Sequence, residues 1–469
     1  MNITWIIGNG FDIRCGLETT YNHFYKWLAE NKNISDNGIY AAITKDGVNQ
    51  WSDLEKKLGE YSKNITEDEF NKFEKDIEML TLDLVEYLQK EEKRIDETQL
   101  GDVEEFSNTI TSFFSHISPA GNQELRIKDY VYSDYRTTEI SINMSYISLN
   151  YTDLFQRYWE KLSPLVIKVD GISFKYQFQN GCNIHNTLKT GLVLGCDNVT
   201  QCNPTSKIVD LLIKPEINKK VGELNDEKAA QIISKTDFFI LFGTSIGETD
   251  KTWWNLIAER CLTDTKFKII IFNYNAVFNK SNTPQTIRDR DAVINRFISR
   301  LDELDQDTEN IIRSKIIASE DIANMFQMKP TLKPKNSSPG TTGRPRFNYS
   351  SNNGKYWIGS GDMEFELKFS KASNTSIHMA SDSKGIESIA LATSISEINQ
   401  IKSIDVFDFT SRVRTPQIGN IVIIKNTAGY YAAVKLIEVT DDTRGDEADE
   451  VEFDYVILNN KSYDFSTSK

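Results

Sequence analysis

The sequence predicts an α/β layered domain followed by a smaller α+β domain that is rich in strands. The first observation is a set of nearly continuous apolar runs, such as FFILF and KIIIF at residues 238–242 and 268–272. Such runs are typical of strands covered on both faces, as in a parallel sheet flanked by helices. The second is helical periodicity between these runs. The third is a change to alternating apolar and polar residues beyond a proline-rich stretch near residue 330.

The first predicted domain spans residues 1–330 and begins with a buried strand at residues 3–7. A polar loop is expected after this strand, and a helix at residues 21–30 follows. Between residues 51 and 117 apolar residues recur three and four positions apart, which predicts a helical insertion. The remaining sequence of this domain predicts strands at 145–150, 165–169, 183–185, 192–194, 237–242 and 268–272. It predicts helices at 151–162, 227–234 and 253–261.

A linker is predicted at residues 331–350, because PTLKPKNSSPGTTGRP carries four prolines among serine, glycine and threonine. Beyond it, residues 351–469 predict a compact second domain. Its predicted elements are an alternating strand at 365–369, a helix at 384–401, a hairpin at 421–439 and a last strand at 452–458.

Composition excludes several classes of protein. The net charge of −14 in 469 residues argues against a nucleic-acid partner, which requires a basic surface. The chain starts without a signal-peptide pattern and has no run near the ~20 apolar residues of a membrane span. Its five cysteines are scattered, with no C-x-x-C pair, so neither a disulfide framework nor a zinc site is expected. We therefore expect a cytoplasmic protein without a metal or a membrane partner.

The segment GNG at residues 8–10 follows the first predicted strand. Glycines at such a position let a backbone approach a ligand closely, and the amides after them can face a phosphate. As a dinucleotide fingerprint the segment is incomplete, because Ile13 occupies the position of the third glycine. The alternative is a strand end followed by a purely structural bend.

Polar residues also follow three other predicted strands. Asn150 lies in NYTDLF, His185 lies in NIHN, and the loop GTSIGETD occupies residues 243–250. Open α/β sheets place their sites at the carboxyl ends of the strands, so these segments are expected to lie together. Each alone has an ordinary interpretation, as a turn asparagine, a packed histidine or a helix cap.

Several of these motifs resemble a known family. GNGFD, GLETTYNHF, WSDLE and NYTDLF, in this order, resemble the AbiH group of bacterial abortive-infection proteins. The order of GNG, NY, a histidine after a strand and FGTSIGETD also resembles the sirtuin-like domains of anti-phage effectors that consume NAD. The resemblance covers about residues 3–275, outside the helical insertion, and says nothing about residues 351–469.

The resemblance implies a Rossmann-like, sirtuin-type fold with NAD as its substrate. It places Asn150 and His185 at the catalytic positions. The implied nucleotide contacts are Gly8, Asn9, Gly10, Asp12, Thr20, Gly243, Thr244, Ser245 and Asp250. The sequence departs from the sirtuin-like pattern at Asn9, where alanine is usual, at Asp12, where serine is usual, and at Asn186, where glycine is usual.

The chemistry of these residue types is compatible with NAD⁺ cleavage. Breaking the nicotinamide–ribose bond needs an oriented water and a base whose pKa is near neutrality. His185 is the expected base, and the Asn150 amide is expected to hold the water or a ribose hydroxyl. Backbone amides of the GNG turn and the Thr244–Ser245 hydroxyls are expected to bind the pyrophosphate.

Two other activities are disfavoured by the same text. Deacylating sirtuins carry a four-cysteine zinc module, which the cysteine spacing here lacks. An NAD oxidoreductase would need the third glycine and a downstream acid, and neither is evident. Trp51, Asp53 and Glu55 belong to a family motif but receive no chemical role.

The sequence thus predicts a cytoplasmic anti-phage effector that hydrolyses NAD⁺ to ADP-ribose and nicotinamide when triggered. The C-terminal domain is expected to sense a trigger from the phage or a partner protein, or to assemble a homo-oligomer. Two alternatives remain open: an inactive module that senses NAD or ADP-ribose, and a scaffold whose glycine turn is only structural.

Overall fold

The computed structural model describes the chain except for residues 34, 36, 48–52, 96–99, 118–138, 170, 222–223, 265, 273–282, 320–321, 323, 329, 331–335, 447 and 468–469. The chain divides into two compact units, Met1–Leu332 and Lys333–Lys469. Each unit has its own hydrophobic core.

The first unit is built on a mostly parallel sheet. Its strands are β1 (Asn2–Ile7), β2 (Glu139–Ser148), β3 (Leu165–Val169), β4 (Ile172–Phe178), β5 (Cys182–Asn183), β6 (Phe238–Phe242), β7 (Lys268–Phe272) and β8 (Ile316–Ser319). They lie in the order β3-β4-β2-β1-β6-β7-β8, with the short β5 paired to β2. The pairs are parallel except for β3 with β4 at the edge.

The strand order reverses direction at β1. From β1 the chain builds one half of the sheet through β2 and β4, and it returns later to build the other half through β6, β7 and β8. Such a reversal leaves a crevice at the carboxyl ends of the two strands that flank it, which is where open α/β sheets bind ligands. The fold therefore places a ligand crevice beside the residues that follow β1 and β6.

Helices follow the strands and form the insertion. They are α1 (Gly10–Arg14), α2 (Tyr21–Asn31), α3 (Gly38–Asp46), α4 (Leu54–Ser62), α5 (Phe70–Lys93), α6 (Val103–Thr111), α7 (Leu154–Trp159), α8 (Ser206–Leu212), α9 (Lys214–Val221), α10 (Asn225–Lys235), α11 (Lys251–Thr263), α12 (Thr283–Ile298) and α13 (Gln306–Lys315). Local signals start many of them. Side chains of Thr20, Asn37 and Asp53 accept hydrogen bonds from the first turns of α2, α3 and α4.

The sheet is covered on both faces. Trp5 of β1 faces one apolar cluster, where Phe106 of α6 and Tyr158 of α7 pack. Ile6 faces the opposite cluster, which includes Ile257 of α11. This two-sided burial explains why the central strands are almost continuously apolar.

The inserted helices have a third core of their own. Side chains of α2, α3, α4 and α5 pack together there with residues from the segment that includes α8. Leu54 and Leu58 of α4, four positions apart, are both fully buried in this cluster. The amphipathic spacing that predicted the insertion therefore reflects packing within it and against the chain after β5.

The structure confirms a mixed α/β arrangement with a parallel sheet and helices, and corrects several elements. The strand predicted at residues 192–194 is absent, although Val193 N–H donates to the His185 carbonyl at 3.1 Å. The loop expected after β1 contains α1 instead. The strands β4 and β8 were not predicted, because β4 is mostly half-buried and β8 has only four residues.

The second unit is β-rich. Its strands are β9 (Ser337–Ser338), β10 (Thr342–Gly343), β11 (Arg346–Asn348), β12 (Lys355–Ile358), β13 (Phe365–Lys371), β14 (Ile377–Ala380), β15 (Ile386–Ala392), β16 (Val413–Arg414), β17 (Ile421–Asn426), β18 (Tyr431–Val439) and β19 (Glu450–Ile457). The described strands form two sheets, in the orders β10-β19-β18-β17-β15 and β16-β14-β13-β12-β9, with β11 also on β19. The two sheets share one apolar core.

The helix predicted at residues 384–401 is wrong. The strand β15 lies there and pairs with β17, and only a single 3₁₀ turn follows at Ile398–Gln400. A bulge between Ile386 and Ser388 shifts the register, so that Ile386 and Ile389 are both buried three positions apart. This spacing imitates the helical period and explains the error.

The predicted hairpin is confirmed as β17 and β18, and the last strand as β19. The predicted linker is corrected in its described part. Residues 337–348 contribute β9, β10 and β11, which pair with β12 and β19 of the second unit. Within the described residues, no helix has the length and hydropathy that crossing a membrane requires.

Candidate functional site

A cavity of about 820 Å³ opens at the carboxyl ends of β1, β2 and β6 in the first unit. The three segments that follow these strands contribute to its wall, and the inserted helices α4 and α5 contribute another part. Every predicted site residue lines it: Gly8, Asn9, Gly10, Asp12, Thr20, Asn150, His185, Gly243, Thr244, Ser245 and Asp250. The structure therefore brings together segments that are far apart in the sequence.

The glycines of the GNG turn allow two strand exits to touch. A Cβ on Gly8 would lie 2.5 Å from Thr244 Cα, and one on Gly10 would lie 2.5 Å from Gly243 Cα. Gly8 N–H donates to the Phe242 carbonyl at 3.0 Å, and Gly10 N–H donates to the Gly243 carbonyl at 2.8 Å. These two amides are therefore used within the protein, which corrects the expectation that they bind a pyrophosphate.

The polar atoms of two further predicted contacts also have partners in the protein. Asn9 Nδ2 donates to the Thr19 carbonyl at 3.1 Å, and the Thr19 hydroxyl donates to Asn9 Oδ1. Thr20 caps α2, since its hydroxyl accepts from His23 N–H at 3.2 Å and lies 2.8 Å from His23 Nδ1. Asn9 and Thr20 thus shape the cavity wall through a fixed local network.

A buried polar cluster lies at the ends of β1 and β2. Asp12 is 1% exposed; its carboxylate accepts from Asn150 Nδ2 at 3.1 Å and from the Thr152 hydroxyl at 2.6 Å. Burial raises the pKa of Asp12 to about 7. The carboxylates of Glu92 and Asp153 act in the same direction, against the two hydrogen bonds. Asn150 Oδ1 is buried and has no hydrogen-bond partner among the described residues.

His185 is bonded at both ring nitrogens. Nδ1 lies 3.0 Å from the carbonyl oxygen of Leu149, which can only accept, so Nδ1 carries a proton. Nε2 lies 2.8 Å from Asp250 Oδ1 and 3.0 Å from Lys214 Nζ. His185 thereby fixes the peptide that precedes Asn150, and it must release a partner before it can accept a proton from a ligand.

Lys214 at the start of α9 is a buried cation that connects the insertion to the site. Its Nζ lies 2.8 Å from Glu55 Oε2 and 3.1 Å from Asp250 Oδ1. Burial would lower the pKa of Lys214, but the carboxylates of Asp250 and Glu55 raise it above its usual value. Burial would raise the pKa of Asp250, but Lys214 and His185 hold it well below its usual range. Lys214 and Asp250 therefore keep their charges near neutral pH.

Sequence reasoning missed the roles of Lys214 and Glu55. Lys214 lies in the segment LLIKPE, which matches no motif and does not indicate a functional residue. Glu55 belongs to the WSDLE motif, and its second oxygen accepts from the Tyr151 hydroxyl at 2.7 Å. Asp53 of the same motif caps α4 by accepting from Lys56 N–H at 3.1 Å. Trp51 lies outside the described residues.

The loop after β6 is held in an unusual conformation. Ile246 has a φ of 54°, and its amide donates to the Thr244 hydroxyl at 3.1 Å. The Ile246 carbonyl accepts from Arg300 Nε at 3.0 Å, and Trp254 Nε1 donates to the Gly247 carbonyl at 2.8 Å. Trp254 therefore acts as a buried anchor of the loop.

The departure at Asn186 has a conformational explanation. Asn186 has a φ of 57°, in the left-handed region that glycine adopts most easily and asparagine tolerates better than most residues. Its Oδ1 accepts from Asn225 Nδ2 at 2.7 Å. Asparagine is therefore compatible with the backbone conformation at this position.

Charges of both signs line the cavity. Its carboxylates are Asp12, Asp53, Glu55, Glu60, Glu248 and Asp250, and its cations are Lys56, Lys57, Arg296 and Arg300. Lys56 pairs with Glu248 at 2.8 Å on the exposed side. Arg296 lies in the last turn of α12 and Arg300 two residues beyond its end, and guanidinium groups are typical partners of anionic ligands.

Among the described residues, a group of carboxylates that could share a metal ion lies in the second unit. Oxygen atoms of Asp441, Asp442 and Asp449 lie within 4.8 Å of one another. Lys371 Nζ already lies 3.0, 2.7 and 2.8 Å from these three carboxylates. The lysine supplies the positive charge that a cation would otherwise bring.

Fold and cavity together define an α/β protein with a cavity at a sheet reversal, the position where open α/β sheets bind small molecules. The family model for bacteriophage abortive infection AbiH matches residues 4–280. The match covers more than half of the chain, so the chain belongs to the AbiH family. This membership indicates a role in abortive infection against bacteriophage. No curated protein matches the chain significantly.

Proposed function

We propose that the protein is an abortive-infection effector whose cavity hydrolyses NAD⁺ to ADP-ribose and nicotinamide. The observation that carries the proposal is Asn150 Oδ1, a buried acceptor without a partner among the described residues. It belongs to a residue that lines the cavity and bonds the Asp12 carboxylate. A buried polar atom of this kind is costly unless a ligand or water satisfies it.

The fold supports a dinucleotide ligand. The parallel strands β4, β2, β1, β6, β7 and β8 follow the order of Rossmann sheets, which bind dinucleotides at the reversal beside their first strand. The cavity of about 820 Å³ falls within the usual size of small-molecule sites. We assign the diphosphate to the hydroxyls of Thr244 and Ser245 and to the guanidinium groups of Arg296 and Arg300.

The charges of the cavity suit the reaction. As the bond between ribose C1′ and the nicotinamide nitrogen breaks, positive charge develops on the ribose and a neutral base leaves. A carboxylate fixed near that position stabilises this charge, and we assign this role to Asp12, which lines the cavity. Asn150 Oδ1 accepts from the attacking water or a ribose hydroxyl, and His185 holds Asn150 in place through the Leu149 carbonyl.

Regulation is assigned to the second unit. An enzyme that depletes NAD⁺ must stay silent until infection, so we propose that residues 351–469 respond to a phage component or a partner protein. We further propose that the active form is a homo-oligomer in the cytoplasm. No metal takes part in the proposed reaction.

The proposal is tested with the purified full-length chain, incubated with NAD⁺ in the presence and absence of lysate from phage-infected cells. We expect nicotinamide and ADP-ribose in equal amounts, and at least a 100-fold lower rate for Asn150→Ala. Asn31→Ala, which changes an exposed asparagine outside the cavity, is the matched control. Binding of NAD⁺ without turnover would instead favour a sensing module. The absence of any NAD⁺ binding would favour a scaffold.

A further inference from the structure

We propose that Asp12 is the general base that removes a proton from the water attacking NAD⁺. This inference rests on the proposed function and assigns its proton transfer to a side chain that the resemblance places only among nucleotide contacts. Asp12 follows β1 directly, lines the cavity and is almost completely buried.

The neighbours of Asp12 orient it without neutralising it. Asn150 Nδ2 and the Thr152 hydroxyl each donate to a different carboxylate oxygen, at 3.1 and 2.6 Å. The charged groups that act on it most strongly are the carboxylates of Glu92 and Asp153. Asp12 is therefore a fixed acceptor that lacks a strong cationic partner among the described residues.

Burial is the main cause of the raised pKa of Asp12, and the neighbouring carboxylates of Glu92 and Asp153 add to it. Asp153 is paired with Arg157 and with Lys189, at 2.5 and 2.6 Å, whereas Arg157 lies 3.7 Å from Glu92. Burial raises the pKa of Glu92 to about 7, as it does for Asp12. Near neutral pH, Asp12 therefore exchanges a proton readily, which is the property of an efficient base.

The alternative base, His185, is poorly placed for this step. Its Nδ1 proton is committed to the Leu149 carbonyl, and its Nε2 lies between Asp250 Oδ1 and Lys214 Nζ at 2.8 and 3.0 Å. Taking a proton from water at Nε2 would require breaking the contact with Lys214. Asp12 needs no such rearrangement, because a carboxylate oxygen can accept more than one hydrogen bond.

We place the attacking water within reach of both Asn150 Oδ1 and Asp12 Oδ1. The Asn150 amide connects the base to the water. Its Nδ2 donates to Asp12, and its Oδ1, which has no partner among the described residues, can accept from the water. In the step, the C1′–N bond breaks and its electron pair stays on the nicotinamide nitrogen. Water oxygen bonds to C1′, and its proton passes to Asp12 and then to solvent. The products are ADP-ribose, nicotinamide and one proton.

The test compares wild type, Asp12→Asn and His185→Gln in the full-length chain. We expect Asp12→Asn to lower kcat by at least 100-fold while the affinity for ADP-ribose changes less than threefold. In wild type, kcat/KM should rise with pH, with its inflection near pH 7 and a plateau above it. His185→Gln should keep this inflection at a lower rate. Asp76→Asn, which changes a buried carboxylate outside the cavity, should leave kcat and the pH dependence of kcat/KM unchanged.

A second variant distinguishes the loss of the base from a structural effect of the substitution. Asp12→Ala should be inactive, and added formate should restore part of its activity, because formate supplies the missing carboxylate. The inference is overturned if Asp12→Asn keeps activity within tenfold of wild type, or if the inflection disappears in His185→Gln instead. If wild type does not cleave NAD⁺ under any condition, the proposed function itself fails and takes this inference with it.

Discussion

Replacing Asp12 by asparagine should change how the stability of the first unit depends on pH. The side chain is 1% exposed, and burial raises its pKa from 3.8 to about 7. Since the protonated form is favoured in the folded protein, its stabilising contribution is complete below pH 3.8. That contribution is lost as the pH rises through 7.

The magnitude follows from the shift. One pKa unit corresponds to about 1.4 kcal/mol, so the step from 3.8 to about 7 corresponds to about 4 kcal/mol. About 3 kcal/mol of this falls between pH 5 and pH 8. Asparagine imitates the neutral acid at every pH. The Thr152 hydroxyl can still donate to the asparagine oxygen, and any loss at the Asn150 contact is the same at both pH values.

The assay is urea unfolding of wild type and Asp12→Asn at pH 5 and at pH 8. We expect the free energy of unfolding of the variant, relative to wild type, to rise by about 3 kcal/mol between the two pH values. Taking the difference removes the groups that titrate identically in both proteins. A difference that stays constant with pH would refute the reasoning, because Asp12 would then titrate at its ordinary value.

Three further predictions concern packing and charge. Gly8→Ala should destabilise the first unit by about 1–3 kcal/mol in urea unfolding, because its Cβ would lie 2.5 Å from Thr244 Cα. Gly247→Ala, whose Cβ meets nothing nearer than 3.6 Å, should not. Lys214→Met should cost about 3–5 kcal/mol by leaving the buried Glu55 and Asp250 without their ammonium partner, and added Glu55→Gln should recover part of this. Lys220→Met at an exposed pair should change stability by less than about 0.5 kcal/mol; a comparable loss would contradict the buried-cation argument. Lys371→Met should gain stabilisation by millimolar Ca²⁺ in thermal unfolding, since three clustered carboxylates then lose the lysine and, among the described residues, only Asp441 keeps a cation, Arg444. Lys425→Met, beside a single carboxylate, should not respond.

Hydrophobic pattern predicted the centre of the fold because it is strong there. The strands β6 and β7 are almost entirely apolar and are covered on both faces, so their sequences clearly indicate buried strands. The edge strand β4 is mostly half-buried and gave no such signal. At β15 a bulge placed two buried residues three apart, and local spacing then indicated the wrong element.

The site was predictable where it follows strands and unpredictable where it depends on long-range pairing. Asn150 and His185 stand near the ends of β2 and β5, and parallel topology brings such positions to one edge. Lys214 and Glu55 pair across 159 positions, between two elements whose packing no local pattern specifies. The use of the GNG amides was equally hidden, because it depends on the loop after β6.

The most direct test of the central claim is the NAD⁺ content of bacteria that carry the protein, measured through a phage infection. Cells with wild type should lose most of their NAD⁺ and accumulate nicotinamide and ADP-ribose before lysis. Cells with Asn150→Ala, expressed at the same level, should keep their NAD⁺ and lose protection. Protection by wild type with an unchanged NAD⁺ content would contradict the claim that this cavity cleaves NAD⁺.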